Sequence, residues 1–222
     1  LTQEESLAYL EEERSYLQEK LNNKVTLIHK PELSITQKEG SLANHINKLQ
    51  KEKNIKLIFM GGGQHEFLFG NHVRSLVDEI SCLLMIIPVD SGIIDYKNVC
   101  FATDLNKADL IRIKFLSKYL QPLSTHLHIC HVSVPNLIPD ILEEDLVPAF
   151  KKSLGEIGSP FIHYYTLEGT QVMHSLEKFN EEINADLLVL AHKSHGMFWR
   201  IFNQDLSDML LKKQNTPLLI MP

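Results

Sequence analysis

Asn98-Val99-Cys100-Phe101-Ala102-Thr103-Asp104 is an apolar run that ends abruptly in a hydroxyl and a carboxylate, and its reading decides the fold. Such a run, bounded by polar residues, predicts a buried strand, and the residues beyond it alternate in period. Ala108, Ile111, Phe115, Leu116 and Tyr119 are read as one helical face that Pro122 terminates. Leu127 to Val134 is a second strand, followed by a helix from about Pro139 to Leu154 that Gly155, Gly158 and Pro160 close. Then come the strand Phe161 to Leu167, the helix Thr170 to Asn184, the strand Leu187 to Ala191, a last helix, and the terminal strand Leu218 to Met221. Strands alternating with helices pair in parallel through right-handed crossovers, so the expected architecture is α/β, a doubly wound open parallel sheet.

Upstream, part of the same order is repeated. Glu39-Gly40, then Leu42, Ile46 and Leu49 at helical spacing, then Ile55 to Met60 and the glycines Gly61, Gly62 and Gly63 mirror Glu168-Gly169, Val172, Leu176, Phe179 and Ile183, and the run to Ala191. Phe69-Gly70-Asn71 opens a helix leading to Leu83-Leu84-Met85-Ile86-Ile87-Pro88, as Phe202-Asn203-Gln204 leads to Leu218-Leu219-Ile220-Met221-Pro222. A recurring order of this kind predicts two modules, 1–90 and 91–222, with the boundary in Val89 to Lys97. The first contains a helix over Ser6 to Leu21 and a strand over Lys24 to His29, but lacks the opening strand-helix-strand. A longer polypeptide supplying about 50 further residues is the expected remedy for the apolar cleft this leaves, and a partner chain is the alternative.

Composition narrows the function classes. The 222 residues are 44% hydrophobic and 23% charged with a net charge of -6, and the pI is near 6.0. No Lys/Arg block offers the clustered cations that phosphate backbones need, so nucleic acid is not an expected partner. No apolar run reaches the ~20 residues of a bilayer span, and no signal-peptide layout opens the chain, so a cytoplasmic, non-membrane protein is expected. Cys82, Cys100 and Cys130 are odd in number and form no CxxC pair, which argues against a disulfide frame and a thiolate zinc site. No GxxxxGK[ST], GxGxxG after a strand, GxSxG or HExxH is present, and His65-Glu66 lacks its second histidine, so the chain is not expected to be an enzyme.

The ordered set of segments resembles the universal stress protein family, whose members have an adenine-nucleotide alpha-hydrolase-like, Rossmann-like sandwich. Asn98 to Asp104 is similar to its first strand, Cys130-His131-Val132 to the end of its second, and the stretches around Met60-Gly61 and Leu190-Ala191 to its C-terminal signature. The resemblance implies a stress-response protein that binds a small ligand, with terminal strands pairing between tandem modules or across a homodimer. It also implies that ATP-binding members carry Gly, two residues, Gly, nine residues, then Gly followed by Ser or Thr after the fourth strand. Phosphates approach backbone amides there, which a Cβ would obstruct.

Ala191, Ser194, Asn203 and Gln204 occupy those positions in the second module, one residue short in spacing, so a standard ATP site is not expected there. Asp104 remains as an acceptor for a base or ribose and Val132 as apolar packing. The first module keeps Gly61, Gly63 and Gly70 with Asn71 where Ser is usual, in a shortened loop with Gln64 in place of the second glycine. These ten residues are the candidate binding set. No cofactor is assigned; ATP or another adenine nucleotide, with slow hydrolysis driving a switch, is the alternative reading. His192, Lys193, His195 and Arg200 are read as a solvated loop in preference to an anion site. His126 and His128 share a strand face, but with His131 they place no third metal ligand, so no metal is expected.

Overall fold

The computed structural model describes residues 2–23, 31–61, 76–77, 79–88, 91, 95–134, 140–192 and 216–222. They belong to two compact units, Leu1–Ser41 and Leu42–Pro222. In the first, α1 (Gln3–Asn22) begins with a reciprocal capping box between Thr2 and Glu5, which satisfies two of the helix's orphan amides. Gln18 ties the next segment to it, donating to the Pro31 carbonyl and accepting from the Leu33 amide. The strand expected over Lys24 to His29 lies outside the described residues.

The second unit is built on one seven-stranded sheet. Its elements in chain order are α2 (Leu42–Glu52), β1 (Leu57–Gly61), β2 (Leu83–Ile87), β3 (Asn98–Ala102), α3 (Lys107–Leu120), β4 (His126–Ser133), α4 (Asp140–Gly155), β5 (Ile162–Glu168), α5 (Val172–Glu182), β6 (Leu187–Ala191) and β7 (Leu218–Met221). The strands lie in the order β1-β2-β7-β6-β3-β4-β5. Every pair is parallel except β2 with β7, which are antiparallel in the register Leu84↔Ile220, Met85↔Leu219, Ile86↔Leu218. Among the described strands β1 and β5 are the outermost, and the apolar rows Leu83–Ile87 and Leu218–Met221 lie inside.

Alternation of side chains divides the strands between two layers. Cys100 and Ala102 face a core completed by Leu76, Val77 and, from α5, Val172, Met173, Leu176 and Phe179. Val99 and Phe101 face the opposite core, completed by Ile113 and Leu116 of α3 and Phe150 and Leu154 of α4. The crossovers β3-α3-β4-α4-β5 thus run along one face, and α5 returns along the other to set β6 beside β3. The strand order reverses between β3 and β6.

One expectation needs correction. The buried face of α3 carries Asp109, Ile113, Leu116 and Ser117, whereas Ile111, Phe115 and Tyr119 are 73%, 43% and 60% exposed. The helix does stop just before Pro122, at Leu120, and Pro122 sits in a 3-10 turn, Gln121–Leu123, closed by Ser124 in the left-handed region. The three cysteines are free thiols and buried, with Cys100 Sγ 3.3 Å from Cys130 Sγ. Burial, first, and the neighbouring Cys100 thiol push the Cys130 pKa well up, so the Cys130 thiol is a poor nucleophile and serves packing.

Candidate functional site

The central strand β3 ends in a turn that its own sequence constructs. The Thr103 hydroxyl accepts from the Leu105 amide at 3.0 Å and donates to Asp109 Oδ2 at 2.8 Å. That closure holds Leu105 at φ 61°, left-handed backbone that costs a non-glycine residue roughly 1 kcal/mol and concentrates at ligand sites and switches. Asn106 then caps α3 by accepting from the Ala108 amide at 2.9 Å. Asp109, 1% exposed, lies in the first turn of α3, where the helix dipole favours a carboxylate. Arg112 Nη1 donates to Asp109 Oδ1 at 3.4 Å and Arg112 Nε donates to the Pro222 carbonyl at 2.9 Å, linking β3, α3 and the end of β7.

A second bridge reaches β4. His131, 2% exposed, directs Nδ1 at the Thr103 carbonyl, 3.1 Å away, and Nε2 at Glu143 Oε1 on α4, 3.2 Å away. A carbonyl only accepts, so Nδ1 carries the hydrogen. The tip of β3 is braced from both sides.

Of the expected binding residues, four are described. Asp104 comes just after the strand, half-buried, between Thr103 and the left-handed Leu105. Val132, 2% exposed, packs at the end of β4 in the α5-side core. Ala191 ends β6, one step beyond the Ala102↔Leu190 pair, so its backbone is level with Thr103. Asp104, Val132 and Ala191 therefore mark three adjacent carboxyl strand ends flanking the point of strand-order reversal, where open α/β sheets bind ligands. Gly61 ends β1, far along the sheet order, paired with Ile87; a Cβ there would meet nothing within 4 Å, so packing does not demand the glycine. Gly63, Gly70, Asn71, Ser194, Asn203 and Gln204 lie outside the described residues, as do Lys193, His195 and Arg200.

No protein-family model matches the chain, and no curated protein does. Solved structures do. A universal stress protein from Archaeoglobus fulgidus DSM 4304 superposes with a TM-score of 0.67 at 18% identity, over 100% of this chain and 80% of its own. The chain has the universal stress protein fold. A functionally unknown protein from Pseudomonas aeruginosa PAO1 gives a TM-score of 0.65 at 14% identity, over 96% of this chain and 76% of its own. A putative universal stress protein from Pseudomonas aeruginosa UCBPP-PA14 gives 0.63 at 13% identity, over 96% and 77%. Within this universal stress protein fold the carboxyl end of β3 is the topological switch point, so Asp104 stands where the architecture concentrates binding chemistry.

Sequence reading missed the braces: Thr103, Asp109, Arg112, His131 and Glu143. Asp109 and Arg112 are three apart on a helix, a visible pairing signal, but nothing local shows that Asp109 turns inward. Two further features lie elsewhere. A polar hollow of about 450 Å³ opens at the carboxyl end of β5, lined among others by Glu168, Thr170, His174, Ser175 and Lys178. At the amino end of β4 and β5, His126, His128 and His163 cluster, with His128 held between Asn98 Oδ1 at 3.2 Å and the Tyr165 hydroxyl at 3.3 Å. Burial, with the neighbouring imidazoles of His163 and His126 in second place, lowers the His128 pKa to about 4. Burial and then His126 lower that of His163 as well. No helix among the described residues is long and apolar enough to cross a membrane.

Proposed function

We propose that this chain is a universal stress protein that works by recognition: a small ligand seats at the carboxyl ends of β3, β4 and β6, and its occupancy alters the protein's interactions in a stress response, without turnover. One observation carries this reading. Asp104 sits at the strand-order reversal on a turn held in left-handed geometry by Thr103, an investment in shape that packing alone does not require. Asp104 accepts from the base or sugar of a ligand and Val132 supplies an apolar wall. Ser194, Asn203 and Gln204 are assigned to the ligand's tail.

A standard triphosphate cradle is not part of the proposal. Ala191 stands where ATP-binding members have glycine, and the next amide, that of His192, donates to the Met221 carbonyl at 2.7 Å, so it is already committed to the sheet. The antiparallel β2-β7 pairing supports two modules, 1–90 and 91–222, joined through their last strands. A cytoplasmic location and a homodimer complete the proposal.

The competing reading is an ATP-driven switch with slow hydrolysis, favoured by the same carboxylate at the reversal point and by Gly61, Gly63 and Gly70 in the first module. Chromatography of nucleotides released from the denatured untagged protein separates the two. We expect no stoichiometric ATP and no saturable ATP titration; equimolar ATP, lost in Asp104→Ala, establishes the switch instead.

A further inference from the structure

Three imidazoles meet at the end of the sheet opposite Asp104. His126 and His128 share a face of β4, and His163 stands across from His128 in the parallel register. Sequence alone placed two of these; the third arrives only because β5 lies beside β4. Nδ1 of His126 is 2.9 Å from Nε2 of His163, with ring centres 5.2 Å apart and planes inclined by 25°.

Without a metal this contact is a hydrogen bond, one ring donating and the other accepting. Its length is also that of two nitrogens sharing one ion. Ligands at about 2.0–2.1 Å from a metal stand roughly 2.9 Å apart at a right angle and roughly 3.4 Å apart at the tetrahedral angle. In the hydrogen bond the two nitrogens face each other, so both rings must turn to aim their lone pairs at a shared ion.

His128 does not compete for the ion, because both its nitrogens face Asn98 and Tyr165 and its ring meets Phe179 edge-on at 6.4 Å. It forms the wall behind the pair. Among the described residues no three His, Cys, Asp or Glu side chains converge on one metal position, so the chelate has two protein ligands and open positions for water. His126 is exposed, which leaves those positions accessible.

We propose that His126 and His163 form a surface two-imidazole site for a borderline divalent transition metal of the zinc, nickel or copper class. Two neutral nitrogen donors suit these ions and not magnesium or calcium, which require oxygen ligands. The proposal is independent of the ligand cleft, which lies at the other end of the strands.

The test uses untagged protein stripped with EDTA and desalted, titrated with zinc chloride calorimetrically at neutral pH. One saturable site is expected, with magnesium chloride giving none. His126→Ala and His163→Ala should each weaken zinc at least about tenfold, as loss of a metal-site partner does, and so should the size-conserving His163→Gln. His174→Ala, an exposed histidine on α5, should bind as wild type. Circular dichroism in EDTA checks that each variant folds. Absence of saturable zinc binding, affinity unchanged in both the His126 and His163 variants, or equal loss in His174→Ala overturns the proposal.

Discussion

Asp109 is the residue on which the β3 turn depends most. A carboxylate at 1% exposure needs compensation, and the Thr103 hydroxyl and the Arg112 guanidinium supply part of it. Asp109→Ala leaves Arg112, 16% exposed, without its anion, and should cost about 3 kcal/mol in urea unfolding. Thr103→Val, which keeps the shape and removes the hydroxyl, should cost about 1–3 kcal/mol, because both Asp109 Oδ2 and the Leu105 amide lose a partner. If Thr103→Val is neutral, the hydroxyl does not hold the turn. His128 contributes a pH dependence whose sign is fixed by its surroundings. Its folded pKa, about 4, is below the unfolded value of about 6.5, so the unfolded chain takes the proton first. Stability should be greatest above pH 6.5 and fall by about 2 kcal/mol as pH drops toward 4, after allowing for partial hydration beside exposed His126. Denaturant midpoints measured in EDTA across that range check it, and His128→Gln should flatten the curve.

At the scale of the element, α3 shows what could and could not be read from the chain. Strand and helix periods were legible because burial imposes them locally, and β3 to β7 fall close to where apolar runs placed them. The orientation of α3 was not legible. Its sequence carries two stripes: Ile111-Phe115-Tyr119, and Asp109-Ile113-Leu116 with Leu120. Each stripe holds three apolar residues; the sequence reading takes the first, with Ala108 and Leu116, whereas the structure buries Asp109, Ile113, Leu116 and Ser117. The Thr103–Asp109 bond and the packing of Ile113 and Leu116 fix the phase together, which leaves Ile111, Phe115 and Tyr119 at the surface. The strand-end positions of Asp104 and Val132 follow from the strands the sequence predicts, whereas the His131-Glu143 and His126-His163 contacts depend on elements brought together by the sheet. Paired substitutions test the assignment. Ile113→Ala, at a site with no exposure, should cost about 2–5 kcal/mol, whereas Ile111→Ala should stay within about 0.5 kcal/mol. The reverse order would restore the orientation read from sequence.

Across the whole of the second unit, the decisive contact is the single antiparallel seam. Among the described strands, β1 and β2 join the rest of the sheet through the β2-β7 ladder, and the core beneath it is continuous. Leu76, Leu84 and Ile86 on one side belong to the same buried cluster as Leu188, Leu190 and Ile220 on the other. Leu84 and Ile220 are unexposed and face each other directly in the register. A core shared this way should not separate into independently melting halves, because opening the seam would expose both partners of every pair along it. Native-state hydrogen exchange reads this directly. Amides of β2 and β6, on opposite sides of β7, should open with the same free energy, and Ile220→Ala should lower both together by about 2–4 kcal/mol. Exchange from β2 that is markedly faster than from β6, with Ile220→Ala acting on one side alone, would show that the seam is a docking contact between two separately stable sheets.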